Sequence, residues 1–495
     1  MANYRMNKNK LLIVFGILFF SLSVSAQQFS QYNTGTLYDS FENPSQRSFI
    51  PDSSRQYAFN FFIPAFNVNT YLSGNGQRIA KRQIFGNNSQ YGIDNLQIGQ
   101  SKYNHFNANI NAYAIMFKLF TSFNGDVEIG FSAQIKAEAR GLLSDESFAM
   151  LDGTRNFPNN TYTNIFNDNY RYQAYHQIGF SYRERINKKI ALGFKISALL
   201  GIQYQQFNIT HSQIDFDRTN PNNPSALLAL TGRYYANYIP GQRDTRDYLP
   251  NLRNPGAAIT LGASYITDDR VTIQGNIKDL GFIHWSNRST TYDFNNSGVI
   301  KNFSSSHFAD TLYDRVHKIL QDDNNKTVKP LTTAINGHAE LSASKNYWIG
   351  YGNTWKYSPT FVASKALFYP DFTAALVNHF NYRGIFTATL TTSYDDMHFF
   401  NVGTQLMIKS PNTEFYIGTE RLTNTGRLAA AALHNNTQIN HVGNYTGGDF
   451  YLGFTLKFGR VIEHPMNASI IPMGEKGFFG RLFGRLFKTS TNKGI

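Results

Sequence analysis

Apolar and polar residues alternate with a period of two along several long stretches of this chain. In DVEIGFSAQIKAEAR (126–140), every odd-numbered residue from Val127 to Ala139 is apolar, and the others are polar, charged or glycine. In FYLGFTLKFG (450–459), the apolar set is Phe450, Leu452, Phe454, Leu456 and Phe458, and the opposite set is Tyr451, Gly453, Thr455 and Lys457. Alternation over ~10 residues or more predicts strands longer than the usual ~5–6 residues, with one apolar and one polar face.

A third stretch, KKIALGFKISALLGIQYQQ (188–206), continues the pattern. It predicts one apolar face that carries Ile190, Leu192, Phe194, Ile196, Ala198, Leu200, Ile202 and Tyr204. Long strands with one apolar face and one polar to charged face are typical of a tilted strand that crosses a bilayer beside a wet interior.

About fourteen such strands are predicted, an even number of the kind that bacterial barrels prefer. They span residues 56–73, 102–121, 126–141, 170–186, 189–210, 256–267, 270–285, 333–344, 346–358, 372–382, 384–394, 398–409, 413–422 and 448–459. The fold class is therefore all-β, a transmembrane antiparallel β-barrel over residues 56–459. A stack of soluble β-sandwiches is the alternative.

The lengths of the connections favour the barrel. Short connections (123–126, 187–189, 267–269, 344–346, 409–413) alternate with long ones (74–101, 142–169, 211–255, 286–332, 423–447), and only DDM (395–397) is short where a long loop is expected. In outer-membrane barrels the turns on the periplasmic side are short and the outer loops are long. The asymmetry therefore predicts that both termini lie in the periplasm.

One outer loop has a helical period instead of a strand period. Phe308, Leu312, Val316, Ile319 and Leu320 recur at helical spacing after Ser306, a possible N-cap. The segment is interpreted either as a lid or constriction helix or as a loop helix packed on its neighbours. The loop 211–255 is a candidate for the other half of such a cap.

The N-terminus has the pattern of a cleavable secretory signal peptide over residues 1–26. A basic start is followed by a short apolar core, and cleavage is predicted after Ala26. An uncleaved signal anchor is the alternative, but the apolar stretch is shorter than the ~20 residues that a spanning helix needs.

Composition excludes several classes of function. The chain has 495 residues and no cysteine, so neither a disulfide framework nor a thiolate metal site is possible. The formal charge of +13 comes from scattered basic residues that form no stripe, so nucleic acid is not an expected partner. Phe and Tyr are abundant, at 42 and 30 residues, which fits the aromatic girdles of a membrane barrel.

No constellation of catalytic residues is predicted, so the protein is not expected to be an enzyme, and no cofactor is expected. His338 and Glu340 lie two residues apart on one face of a strand, but their spacing is far from that of a known metal site. No metal site is therefore predicted.

Two motifs carry a family resemblance. QQFSQYNTGTLYDSFENPSQRSF (27–49) and NIKDLGFIHW (276–285) resemble motifs of outer-membrane barrels of the Bacteroidetes, a group of unknown function. There is a weaker likeness to the PorP/SprF proteins of type IX secretion and gliding, and the strand count is similar to that of FadL-like transporters. The resemblance implies a barrel in the cell outer membrane.

The FadL-like barrels also suggest a role for residues 27–55, because in that family the chain ahead of the first strand enters the lumen as a plug. A periplasmic tail on the rim is the alternative. The plug predicts ion pairs between two sets of residues. The first is Asp39, Glu42, Arg47, Asp52 and Arg55, and the second is Lys136, Glu138, Arg140, Arg183 and Arg185.

The last region, residues 460–495, is predicted to be a periplasmic tail with an amphipathic basic segment. In a helix, Phe478, Phe479, Leu482, Phe483, Leu486 and Phe487 gather on one half and Arg481, Arg485 and Lys488 on the other. The segment is interpreted as a membrane-surface helix, a docking peptide for a periplasmic partner, or a disordered tail.

Two functions follow from these patterns. The first is a transporter or gated channel for a small apolar or amphipathic compound. The second is a structural or accessory subunit of an envelope machine, such as type IX secretion or gliding. The expected partners are outer-membrane lipid and, for the second function, periplasmic or secretion-machinery proteins.

Overall fold

The computed structural model describes most of the chain between residue 28 and residue 483. The described residues are 28–50, 52–77, 79, 96–121, 127–151, 153–220, 224–238, 248–301, 303, 308–321, 325–350, 352, 354–369, 371–396, 400–433, 445–463 and 478–483. The predicted signal peptide and its cleavage site after Ala26 lie outside these residues.

Fourteen antiparallel strands form a closed barrel, which confirms the predicted fold class. They are β1 (Arg55–Phe59 and Ala65–Ser73), β2 (Tyr103–Phe120), β3 (Val127–Ser144), β4 (Asn169–Arg185), β5 (Ile190–Asp217), β6 (Pro255–Ile266), β7 (Val271–Trp285), β8 (Leu331–Ala334 and His338–Lys345), β9 (Trp355–Ala366), β10 (Phe372–Tyr382), β11 (Phe386–Asp395), β12 (Phe400–Lys409), β13 (Thr413–Thr419) and β14 (Tyr445–Val461). Closure is made by β14, which pairs with β13 on one side and with β1 on the other.

The two faces of the barrel wall have opposite chemistry. Large apolar side chains are exposed on the outer face, among them Phe131, Ile135, Phe180, Ile196, Leu261, Leu341, Phe361, Leu376, Leu390, Leu406 and Phe450. Polar side chains are buried on the inner face, among them Asn109, Gln134, Gln177, Thr260, Gln274, Ser342, Thr389, Gln405 and Thr455. This is the inverse of a water-soluble protein and the arrangement of a barrel whose outside contacts lipid.

The two ends of the barrel also differ. Short connections join β2 to β3, β4 to β5, β6 to β7 and β10 to β11 at one end, here called the turn end. The opposite, loop end carries the long insertions, although β9 and β10 are joined there by a short connection, 367–371.

The predicted ninth strand was placed wrongly. It was expected at 346–358, but β9 runs from Trp355 to Ala366 and contains Pro359. Tyr357 pairs with Tyr347 and Thr360 pairs with Ser344 in one continuous register, and the ladder is interrupted only between them, at Ser358 and Pro359. Because the missing N–H of Pro359 falls in this gap, a proline that normally ends a strand is tolerated.

The predicted single phase of β5 was also wrong at its outer half. Tyr175 of β4 pairs with Gly201 and Ala174 pairs with Gln203, so Ile202 is a β-bulge. The bulge reverses the alternation, and Tyr204 faces inward, buried and stacked on Trp285.

A second β-layer, here called the cap, rises from the loop end. β5 is 28 residues long, and its outer half pairs with Ser225–Ala236, which in turn pairs with Thr290–Ile300. Two short strands, Thr161–Thr163 and Lys326–Val328, extend this sheet. The cap therefore combines the two long loops that were predicted to form it.

Five helices accompany the strands in the described part of the chain: α1 (Leu37–Glu42), α2 (Asp145–Met150), α3 (Phe308–Leu320), α4 (Leu422–Leu433) and α5 (Phe478–Phe483). The predicted loop helix is α3, and Phe308, Leu312 and Ile319 pack into the apolar core of the cap. Its predicted N-cap, Ser306, lies outside the described residues. No helix in the described ranges is long and apolar enough to cross a membrane.

Candidate functional site

Residues 28–50, here called the plug, lie inside the barrel. The helix α1 begins where Thr36 Oγ1 accepts a hydrogen bond from the Asp39 backbone N–H at 3.2 Å. Its apolar side chains Leu37 and Phe41 are fully buried, in a cluster with the luminal Tyr113 and Tyr416. Burial of aromatic side chains thus fixes α1 against the wall. Its contacts are with inward-facing side chains of the wall.

Two paired glycines let the plug approach the wall. Gly193 of β5 and Gly262 of β6 face each other across the ladder. A methyl group on Gly193 would lie 2.1 Å from the Pro44 carbonyl oxygen, and one on Gly262 would lie 2.5 Å from Asn43 Oδ1. Since carbon and oxygen atoms cannot approach so closely, only glycine fits at both positions.

A β-bulge in the motif NIKDLGFIHW points two consecutive charges inward. The pairing of β7 with β6 is interrupted between Ile277 and Leu280, and Asp279 has φ 52°, the left-handed conformation. Lys278 forms an ion pair with Glu42 of the plug and lies 3.8 Å from Glu340. Left-handed backbone at a non-glycine residue costs on the order of 1 kcal/mol, so the surrounding contacts must hold it.

Asp279 is held by polar groups of four strands, β3, β4, β5 and β6. Its carboxylate forms an ion pair with Lys136, lies 3.7 Å from Lys195 Nζ and accepts a hydrogen bond from Gln177 Nε2 at 2.9 Å. Its backbone N–H donates to Thr260 Oγ1 at 3.0 Å. The buried carboxylate is therefore fully compensated, as a buried charge must be.

Charged side chains of the wall also bind the backbone of the plug. Glu128 accepts a hydrogen bond from the Ser48 N–H at 3.1 Å, and Arg183 Nε donates to the Ser45 carbonyl at 2.9 Å. Glu414 accepts from the Leu37 N–H at 2.9 Å. Lys118, Lys409 and Lys457 donate to plug carbonyls. The barrel thus supplies partners that the short, irregular plug cannot supply for itself.

Of the predicted plug ion pairs, Glu42 forms one, but its partner is Lys278 and not a residue of the predicted set. Arg183 contacts the plug through a backbone carbonyl and pairs with Glu128 of the wall. Asp39 accepts from the Gly35 N–H within the plug, and Arg55 donates to Asn412 at the turn end. Sequence reasoning missed Lys278 because the bulge changes which residues of β7 face inward.

A cavity of about 670 Å³ opens at the loop end of the lumen. Its wall is formed by β2, β3, β4 and β5, and Tyr369 and Asp396 close it from the opposite side. Arg140 of this wall is four residues closer to the loop end than Lys136, which contacts the bulge beside the plug. The cavity therefore lies on the loop-end side of the plug. Its volume is within the ~300–1,000 Å³ of small-molecule sites.

Two arginines dominate the charge of this cavity. Arg140 and Arg171 are direct cross-strand neighbours on the inner face. Like charges in this arrangement repel, so they destabilise the sheet unless a counter-charge is supplied. The Arg171 guanidinium lies 3.3 Å from the centre of the Tyr369 ring, and its Nη1 is buried without a hydrogen-bond partner. Acidic groups lie within electrostatic reach of both arginines, Glu138 for Arg171 and Asp371 for Arg140, and Asp396 also lines the cavity.

Leu142 lies on the same face of the wall as Arg140 and adds an apolar group to the lining, whereas the register places Phe106, Tyr170 and Phe207, which also border the cavity, on the opposite face. Tyr170 and Phe207 stack with their ring centres 5.6 Å apart. The cavity thus combines guanidinium groups with apolar surface, a combination that suits a molecule with an apolar body and an anionic or polar end.

A protein-family model described as "Family of unknown function (DUF5723)" matches residues 49–420. The chain belongs to this family. The DUF5723 match begins near the end of the plug and includes the Lys278–Asp279 bulge and both cavity arginines. A comparison with curated protein sequences finds no match for this DUF5723 chain.

Solved structures with some similarity to this DUF5723 chain include three barrels. The toluene transporter TbuX of Ralstonia pickettii is 10% identical, with 84% of this chain and 92% of that chain covered and a TM-score of 0.39. A Pseudomonas aeruginosa FadL homologue is 11% identical, with 88% and 97% covered and a TM-score of 0.41. The translocator domain of the autotransporter NalP from Neisseria meningitidis is 7% identical, with 82% and 90% covered and a TM-score of 0.31. No functional role is transferred from these three structures to any residue of the DUF5723 chain.

The remaining candidate residues of the DUF5723 chain have other surroundings. Glu340 accepts a hydrogen bond from Asn276 Nδ2 at 3.0 Å, and His338 is buried beside the bulge of β7. Within the described ranges no group of three or more His, Asp or Glu is arranged to hold a metal ion. Of the tail residues, Phe479, Arg481, Leu482 and Phe483 lie in α5, whereas Arg485, Leu486, Phe487 and Lys488 lie outside the described residues.

Proposed function

We propose that this protein is an outer-membrane transporter or gated channel for a small apolar or amphipathic compound. The observation that carries the proposal is the cavity of about 670 Å³ at the barrel mouth, lined by apolar side chains and by Arg140 and Arg171. A barrel that served as an anchor alone would have no need of two adjacent guanidinium groups in a pocket of this size.

The membrane location is supported by the apolar outer face. Exposed side chains such as Phe131, Phe180 and Phe361 would be unfavourable in water and favourable in lipid. In outer-membrane barrels the short turns face the periplasm, so the turn end is periplasmic and the cavity opens toward the exterior.

Arg140 and Arg171 are assigned the role of recognising the polar end of the compound. Two adjacent guanidiniums repel each other, and a carboxylate, sulfonate or phosphate between them removes the repulsion. Leu142, on the same face as Arg140, and the Tyr369 ring then cover the apolar part. A neutral apolar compound gains the second set of contacts alone, so it binds more weakly than an anionic amphipath of the same size.

The plug is assigned the role of the gate. It fills the lumen on the turn-end side of the cavity, so passage along the barrel axis requires it to move. Asn43 and Pro44 contact the paired glycines Gly262 and Gly193 without a covalent bond. A disulfide at this contact should therefore hold the gate shut.

The test uses the absence of cysteine in the chain, so that any disulfide is an engineered one. In the double variant Asn43→Cys with Gly262→Cys, the added Cβ and the Asn43 side chain are within bonding reach. Uptake of an apolar fluorescent probe, N-phenyl-1-naphthylamine, is measured in cells of a Gram-negative host with and without reductant. We expect uptake to rise with expression of the cysteine-free protein, to fall to the empty-host rate in the oxidised double variant, and to recover on reduction.

The reduced double variant and the single variant Asn43→Cys are the controls, because neither holds the bond. Gly262→Cys alone is not a control, because its Cβ would lie 2.5 Å from Asn43 Oδ1. Oxidised and reduced double variants with equal uptake would show that the plug is not the gate. Uptake by the cysteine-free protein at the empty-host rate would overturn the transport proposal itself.

The accessory role in an envelope machine is the second candidate, and the plug contacts favour it. Glu42, Ser45 and Ser48 are each bound by a charged group of the wall, which describes a filled, rigid barrel as well as a closed gate. A pull-down from native membranes in mild detergent separates the two. Stoichiometric periplasmic or secretion proteins, such as those of type IX secretion, would support the accessory role.

A further inference from the structure

The helix α5 lies against the outer wall of the barrel at the turn end, on the opposite side of the wall from the plug. The wall offers Tyr182 of β4 and Phe194 of β5, which are cross-strand partners with stacked rings 5.6 Å apart. The Phe479 ring lies edge-on to Phe194 at 6.0 Å and also contacts Tyr182 at 5.8 Å. Phe478 contacts Tyr182 at 6.4 Å. A four-ring aromatic cluster therefore joins the tail to the barrel.

Polar contacts fix the orientation of this helix. The backbone N–H of Phe478 donates to the Tyr182 hydroxyl at 3.0 Å, and that of Phe479 donates to Glu184 Oε2 at 2.6 Å. The Tyr182 hydroxyl also donates to Glu184 Oε2 at 2.9 Å. Tyr182 and Glu184 thus satisfy N–H groups that a helix start leaves without intrahelical partners. The position of α5 is set by this pair and not by the rings alone.

The exposed surface of the seated helix is both apolar and basic. Phe478 is 54% exposed beside the aromatic wall, and Arg481 is exposed one turn further on. Arg185 is exposed on the same strand end, immediately after Glu184. Aromatic rings beside basic groups at the end of a barrel strand match the chemistry of the membrane interface, where rings sit at headgroup level and cations meet phosphates.

We propose that α5 is a membrane-surface element, seated on Tyr182, Glu184 and Phe194, whose Arg481 binds the phosphate groups of anionic phospholipid in the periplasmic leaflet. The occupant is a lipid headgroup because the exposed groups combine a cation with a phenylalanine beside the lipid-facing wall. The seat removes part of the entropic cost that makes so short a helix unstable in water.

The experiment uses the full chain in nanodiscs, where both membrane faces are accessible. Leu482→Cys introduces a single thiol into a chain without cysteine, and the thiol is labelled with the environment-sensitive dye NBD. Collisional quenching by iodide is compared between discs of phosphatidylcholine and discs that also contain phosphatidylglycerol. We expect the quenching constant to be at least about threefold lower in the anionic discs, because the dye is drawn into the interface there.

Two variants separate the contribution of the Arg481 charge from that of the Phe479 ring contacts. Arg481→Glu should abolish the difference between the two lipids, whereas Arg460→Glu, the same change at an exposed position of β14, should preserve it. Phe479→Ala should raise quenching in both lipids, because the aromatic seat is lost.

Equal protection in both lipids with no effect of Arg481→Glu would overturn the lipid-binding proposal and leave α5 as a segment docked on the barrel. Protection that appears only after addition of a periplasmic extract would identify a protein as the occupant and would also overturn it. High quenching in every disc would show that α5 is not seated on the wall at all.

Discussion

At the scale of single residues, the position of the plug depends on two side chains that are absent. Gly193 and Gly262 face each other across β5 and β6, and the backbone of residues 43–45 occupies the space that two methyl groups would fill. Neither glycine has a positive φ, so the backbone conformation does not require glycine here. What the contact requires is the space left by the two missing side chains. The contact is therefore sensitive to the smallest possible substitution.

We predict that Gly193→Ala displaces the plug without unfolding the barrel. The added methyl group would lie 2.1 Å from a carbonyl oxygen of the plug backbone, which must shift, at a cost of about 1–3 kcal/mol. Hydrogen exchange measured by mass spectrometry should show amides of residues 43–48 exchanging at least about tenfold faster. Gly275→Ala is the matched control, since no atom lies within 4 Å of its added methyl group. Unchanged exchange in Gly193→Ala would contradict the close contact.

Residue-scale reasoning from the sequence predicted ion pairs for Glu42 and Arg183 between plug and wall, but Glu42 pairs with Lys278 instead, and Arg183 binds the plug through the Ser45 carbonyl. It could not predict the role of Lys278, because strict alternation lets only every second residue of a strand face the lumen. The bulge in β7 makes two consecutive residues, Lys278 and Asp279, face the lumen. Asp279 has a left-handed backbone conformation that the local sequence KDL does not predict. The compensation comes from Lys136 and Gln177, which are distant in sequence.

At the scale of elements, the alternation along each strand determines which face meets lipid. β14 presents Phe450 and Phe458 outside and buries Tyr451, Thr455 and Lys457 inside, as its sequence predicted. The predicted alternation was wrong in β5 beyond Ile202, and the predicted end of the ninth strand before Pro359 was also wrong. The first is an irregularity of pairing, which depends on the neighbouring strand and leaves no period in β5 itself. The second is a proline inside a strand, a residue that usually marks a strand end.

We predict that Phe454→Arg destabilises the folded barrel by about 2–4 kcal/mol in a bilayer, because Phe454 lies near the middle of β14 on the outer face. Phe454→Leu is the control, since it keeps an apolar side chain at the same position. The measurement is the denaturant midpoint of unfolding from liposomes, followed by tryptophan fluorescence. Equal midpoints for the two variants would mean that this face does not meet lipid.

At the scale of the whole molecule, the closed barrel was predictable and the cavity was not. The strand count and the loop asymmetry depend on local patterns, so they were readable along the chain. The cavity combines Arg140 with Arg171 across a strand pair and adds Tyr369 from the far side of the barrel. Arg140 was expected to pair with the plug, and Arg171 was not singled out, because their adjacency follows from the register of β3 on β4. Only the folded barrel brings the two guanidiniums together.

The closed barrel leads to a prediction about how the protein behaves in SDS. Each barrel strand is hydrogen-bonded to two neighbours, and β14 joins β1 through pairs such as Val68 with Phe450 and Phe59 with Leu456. A closed barrel has no free edge at which SDS and water can begin to separate strands, so unfolding requires many hydrogen bonds to break together. We therefore expect the protein extracted from membranes to migrate as a compact species on SDS gels when unheated and to shift after boiling to the mass of its unfolded chain, which is 56.2 kDa for all 495 residues and smaller after the predicted cleavage at Ala26. Gly193→Ala, which disturbs the plug and leaves the strand pairs intact, should show the same heat-dependent shift. A single band at the unfolded mass at every temperature, from protein known to be membrane-inserted, would show that the strands do not form a closed barrel in the membrane.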